Sequence, residues 1–183
     1  MWFDRVGLCL AAIVAAGSAF ADPPRYHLGR APTQAEIDAW NIDVRADGQG
    51  LPPGRGSAVE GRGVFAEKCA ACHGDNGQGG LADPLAGGFG TLTQPNPIRT
   101  VGSYWPYATT LFDFIRRAMP FNAPESLSED QVYAVSAYVL SLNGIVADDA
   151  VLDAASLPKI VMPNRNGFVS PDPRPDIPVA AHN

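Results

Sequence analysis

Cys69-Ala70-Ala71-Cys72-His73 puts two thiols and an imidazole within five residues of one another in this 183-residue sequence. The pattern is C-x-x-C-H, the attachment signature of a c-type haem. Two residues between the cysteines set the thiols about one helical turn apart, matching the separation of the two haem vinyl groups, to which the thiols add as thioethers. The adjacent His73 is then held beneath the iron. Two other chemistries use such residues. Zinc would need two more ligands, His73 stands too close to Cys72 to share a metal with it comfortably, and the other histidines are His27 and His182. A thioredoxin-like redox pair needs a βαβ setting that the surrounding sequence lacks. The expectation is one covalent haem c, with His73 as an iron ligand.

The opposite face of the iron needs a second ligand. Met119, followed by Pro120, lies 46 residues after His73, at the end of one predicted helix and before the next. That loop can wrap to the far side of the haem. Met162-Pro163 is the alternative, in a Pro-rich tail, and His27 is a remote third; either methionine could instead be plain packing. A thioether ligand favours Fe(II), raises the potential and fills the coordination sphere. Electron transfer is therefore expected, with no catalysis by this chain at the iron. A haem enzyme or ligand sensor would need an open iron position, against which Met119 argues. Trp105 lies between His73 and Met119, where its indole N–H could reach a haem propionate or the ring could simply fill core.

The elements that must hold these residues are helices. One is expected from about Ala58 to Cys72, with Val64, Phe65, Cys69 and Cys72 on one stripe. Residues 74–109 are Gly-rich loop. Thr109 or Thr110 caps a helix through Ala118, with Leu111, Ile115 and Ala118 inward, Arg116 and Arg117 near its C-terminal end, and Pro120 stopping it. A third helix runs from Glu129 to Leu142. Ser128 and Gln131 form its capping box, Val132, Val135, Tyr138, Val139 and Leu142 repeat at helical spacing, and Asn143-Gly144 ends it. No β-strand pattern is convincing. Residues 58–143 thus form the haem domain.

Residues 22–57 form an N-terminal arm, broken by Pro23, Pro24, Pro32, Pro52 and Pro53, with a short helix at Thr33 to Trp40 opened by Thr33 and Glu36. Residues 144–183 form a Pro-rich C-terminal tail. Both arms read as extended, yet they carry Tyr26, Trp40, Ile42, Ile160, Met162 and Phe168, more apolar anchors than a linker needs. The expectation is that they grip a partner subunit; the alternative is that they fold back onto the haem domain.

Residues 1–21 read as a secretory signal peptide: Arg5, an apolar run from Val6 to Ala16, and Ala19-Phe20-Ala21 before cleavage at Asp22. The run is too short to span a bilayer, which takes about 20 apolar residues, and no later segment approaches that length. Periplasmic localisation is expected, with no membrane span in the mature chain. Cys9 leaves with the signal, so of three cysteines only Cys69 and Cys72 remain, and two cysteines this close do not make a disulfide scaffold. The net charge of −6 argues against nucleic acid as a partner. With lysine only at positions 68 and 159, a lysine-ringed docking face is not available.

The sequence resembles the class I cytochromes c over residues 58–143. Gly61 and Phe65, eight and four residues before Cys69, and Tyr138 in the last helix match the positions where that family crosses its first and last helices. Pro84 matches the family's proline whose carbonyl accepts the ring N–H of the haem histidine. The resemblance implies an all-α fold, here with extended Pro-rich arms. Residues 100–124, with Leu28-Gly29-Arg30, residues 43–54 and residues 162–168, look similar to the cytochrome subunit of Sox sulfane dehydrogenase, although the best-known members carry two haem domains and this chain has one C-x-x-C-H. That likeness implies a molybdenum-cofactor dehydrogenase subunit, of the sulfane or sulfite dehydrogenase type, as electron donor. The acceptor would be a soluble cytochrome c or an oxidase. A stand-alone electron shuttle and the cytochrome subunit of a quinoprotein alcohol dehydrogenase are the alternatives.

Overall fold

The structure, a computed structural model, describes residues 28–169, in two units that divide between Asn41 and Ile42. The signal segment 1–21, Tyr26, His27 and the last part of the tail lie outside the described residues. In the first unit, α1 (Gln34–Trp40) starts at Thr33, whose hydroxyl accepts the Glu36 N–H while the Glu36 carboxylate accepts the Thr33 N–H. Arg30 pairs with the same carboxylate. The helix is well closed at its N-terminus and buries no residue.

The second unit is built on α2 (Ala58–Lys68), the one-turn α3 (Ala70–His73), α4 (Ala108–Ala118) and α5 (Glu129–Leu142). The expected helix from Ala58 to Cys72 is divided: Cys69 adopts φ −121°, ψ −38° and separates α2 from α3. α5 has the expected bounds and the Ser128–Gln131 capping box. α4 begins two or three residues earlier than expected, with Tyr107 as its cap; Thr109 sits inside the helix, buried, and its hydroxyl donates to the Ala46 carbonyl at 3.3 Å.

α2 crosses α5 at Gly61. A Cβ there would lie 1.9 Å from the Ala134 carbonyl oxygen, so only a glycine lets the two backbones approach this closely. Phe65 and Tyr138 pack edge to face beside the crossing, centroids 5.3 Å apart. α4 packs on the other side of α5, where Phe112 meets Tyr133 at 4.4 Å.

Two expectations about the arms are corrected. A short antiparallel ladder exists: β1 (Arg55–Ser57) pairs with β2 (Val151–Asp153), Gly56 opposite Leu152. Strands of three residues are too short to show alternation. The inner parts of both arms also belong to the core. Val44, Leu152, Leu157 and Met162 are buried. Residues 42–46 run as a strap along α4: the Ile42 carbonyl accepts from Arg116 at 2.9 Å, the Val44 N–H donates to Asp113 at 2.8 Å, and the Ala46 carbonyl accepts from Thr109. Arg116 also donates to Glu129, and Arg117 pairs with Asp113, so these cations fasten the strap and helix pair as well as sitting at the negative helix end.

Candidate haem site

Cys69 is half-buried at the α2–α3 junction and Cys72 is exposed one turn on, with no disulfide joining them. Burial, helped by the neighbouring Cys72, pushes the Cys69 thiol up to about 11. A C-x-x-C redox pair works through a thiolate of depressed pKa, so this direction is opposite to what thioredoxin-like chemistry requires. Among the described residues no group of three or more His, Cys, Asp or Glu is arranged to hold a metal ion.

His73 ends α3, and Gly74 follows with φ +79°, turning the chain away. The His73 Nδ1 lies 2.8 Å from the carbonyl oxygen of Asp83. That contact makes Nδ1 the donor and leaves Nε2 free to bind iron. The expectation for Pro84 is corrected by one residue: the carbonyl facing the ring belongs to Asp83. A proline disfavours helical backbone at the residue before it, which narrows the directions open to the Asp83 carbonyl.

Met119 is the C-cap of α4, half-buried, with extended backbone. Met162 is 1% exposed and packed in the core, where a thioether serves as filler. Trp105 is half-buried, edge-on to Phe114 of α4 with centroids 5.8 Å apart. The tail braces the segment that carries Trp105. Asn164 donates to the Tyr104 carbonyl at 2.7 Å, Phe168 packs edge-on to Tyr104, and the Arg165 guanidinium lies 4.3 Å from the Tyr107 ring centroid.

These residues fit a haem. Val64, Leu85, Trp105, Met119, Leu127 and Leu142, like Cys69 itself, pack on the core yet keep part of their surface open. A planar apolar macrocycle covers that kind of surface. Cys69 and Cys72 would hold it through thioether links, and His73 and Met119 would be the iron ligands. The bound group supplies a one-electron Fe(III)/Fe(II) couple.

Several residues that hold the fold together carried little or no signal in the sequence. Asn143, read as a helix stop, is a buried hub between α5 and the loop after His73. Thr100 and Ser103 bind each other and tie down residues 87 and 98. Tyr133 donates to the Pro52 carbonyl at 2.9 Å, and burial pushes its hydroxyl up to about 12. Asp113 carried a weak signal, an acid on a buried helix face four residues before an arginine.

Residues 58–143 match the cytochrome c family. Fold and site together define a class I c-type cytochrome, and the chain belongs to that family. A chain in the crystal structure of the sulfane dehydrogenase SoxCD from Paracoccus pantotrophus is 46% identical, with a TM-score of 0.76 over 82% of this chain and 74% of that one. This identity over most of both chains makes it a cytochrome of the Sox type, with covalent haem c and a role in electron transfer. Thiosulfate dehydrogenases are also similar. That of Allochromatium vinosum is 32% identical over 83 residues and that of Stutzerimonas stutzeri 35% over 93 residues. These matches span 45% and 49% of this chain but only 30% and 29% of those proteins.

Proposed function

We propose that this protein is a periplasmic mono-haem subunit that takes electrons singly from a molybdenum-cofactor dehydrogenase acting on a sulfur compound. It passes them to a soluble cytochrome c or an oxidase. The observation that carries this reading is the likeness to the SoxCD chain. It covers 82% of this sequence, whereas the haem domain match covers residues 58–143 alone. A general electron shuttle would share the haem domain with such a relative and little else. Export rests on the signal-like residues 1–21.

The N-terminal arm supports a dedicated partner. α1 buries nothing, and Ile37 and Trp40, three residues apart on one face, are 40% and 86% exposed. A closed helix with an open Trp is a preformed anchor for another protein.

The test is purification of the full chain from its native periplasm. A molybdenum protein is expected to accompany it, and thiosulfate, sulfite or a sulfane donor should reduce the haem in that complex. Ile37→Ala with Trp40→Ala is expected to abolish co-purification and leave the haem spectrum unchanged. Isolation without a molybdenum protein, and with no reduction by any of the three compounds, would overturn the reading.

A further inference from the structure

Asn143 closes α5, far from the haem motif in sequence, and its side chain is 6% exposed. Three of the four hydrogen bonds its amide can make are formed, two of them to the loop after His73. Its amide nitrogen donates to the Leu85 carbonyl at 3.0 Å and to the Val139 carbonyl of its own helix at 2.9 Å. Its amide oxygen accepts the Gly87 N–H at 3.1 Å. An oxygen acceptor and a nitrogen donor on one short planar group are both required, so neither Asp nor Leu reproduces the set. Space is equally specified: a Cβ on Gly102 would lie 2.2 Å from the Asn143 oxygen.

The loop held in this way is the one whose Asp83 carbonyl faces the His73 ring nitrogen, two residues before Leu85. The same loop is fixed from a second side, where the Thr100 hydroxyl donates to the Gly87 carbonyl at 2.6 Å and the Val101 N–H to the Leu85 carbonyl at 3.3 Å. On the motif side the Leu85 and Ala86 N–H groups donate to the Gly77 carbonyl at 2.8 and 2.9 Å, and only residue 84 separates the Asn143 anchor at Leu85 from the Asp83 carbonyl.

We infer that Asn143 is a positioning residue for the haem iron: it holds the loop at residues 85 and 87 so that the Asp83 carbonyl stays on the His73 Nδ1–H, and thereby sets the reduction potential. The inference rests on the haem attachment and is independent of the electron donor. The direction follows from the ring. A hydrogen bond from Nδ1–H to a carbonyl makes the imidazole a stronger electron donor, which favours Fe(III). Loosening the loop weakens that bond and raises the potential.

The experiment compares holo proteins carrying Asn143→Leu, Asn143→Asp, Thr100→Val and, as a control, Tyr133→Phe, which loses a buried bond to Pro52 on the strap side of the core. Asn143→Leu is expected to raise the potential by about threefold in the one-electron equilibrium constant, about 30 mV at 59 mV per tenfold. The His73 ring N–H, followed by NMR, should exchange with solvent at least about tenfold faster, as its closed geometry opens. Thr100→Val should shift both readouts in the same direction by less, and Tyr133→Phe should lower Tm and leave both unchanged. If Asn143→Leu yields no holo protein, Asn143→Asp and Thr100→Val decide. Unchanged potential and ring exchange in every Asn143 and Thr100 variant, with Tm reduced as in the control, would make Asn143 a helix cap and overturn the inference.

Discussion

Gly61→Ala tests the crossing of α2 and α5, on which the placement of the haem motif depends. The new methyl carbon would lie 1.9 Å from the Ala134 carbonyl oxygen, 2.4 Å from its carbon and 2.9 Å from the Tyr138 Cβ. A tolerable approach begins at 3.0 Å, so the helices must separate by at least 3.0 − 1.9 = 1.1 Å. The obstacle is backbone of a buried helix and has no rotamer by which to move aside. Helix propensity favours Ala over Gly by about 0.8–1 kcal/mol. Forced overpacking of a core costs typically 1–3 kcal/mol, occasionally more, and a clash with rigid backbone belongs at the upper end. The net expectation is a loss of about 2 kcal/mol. For a chain of this size that is a fall in Tm of about 4–8 °C. Gly63, two residues on in the same helix, has nothing within 4 Å of its Cβ position. Gly63→Ala should therefore stabilise by up to about 1 kcal/mol. Thermal melts of the two holo variants, followed at the Soret band and in the far-ultraviolet, should shift in opposite directions. A Gly61→Ala protein as stable as Gly63→Ala would refute the close-approach argument.

Two further outcomes follow from the site and its supports. Met119→Ala should abolish the weak near-infrared sulfur-to-iron band of the oxidised protein and lower its potential, because the soft ligand favours Fe(II). Met162→Ala should keep the band and cost about 2–5 kcal/mol, as for a buried methionine; the reverse pattern would exchange their roles. Tyr133 has its proton held to about pH 12 in the fold, against an ordinary value of 10. The unfolded chain loses that proton first, so this contribution is complete below pH 10 and is lost as the pH rises toward 12. Denaturant midpoints should fall less steeply over that range in Tyr133→Phe, and an identical slope would show that the hydroxyl is not protected.

The sequence by itself determined the covalent chemistry and the starts of α1 and α5. Cys69, Cys72 and His73 act through their spacing, and the Thr33–Glu36 and Ser128–Gln131 caps join residues three apart. Such signals survive in a linear reading because every partner lies within one helical turn. The tertiary structure decided whatever depends on distant partners. Met119 and Met162 both precede proline, and burial alone made one of them filler. The arms, Pro-rich and without periodicity, gave no sign that residues 42–46 would lie along α4, 63 to 74 positions away. Asn143 and the loop it holds are separated by 56 and 58 positions. A buried amide bonded to backbone groups on a remote loop leaves no pattern in its own neighbourhood, because its partners are peptide atoms that every residue carries.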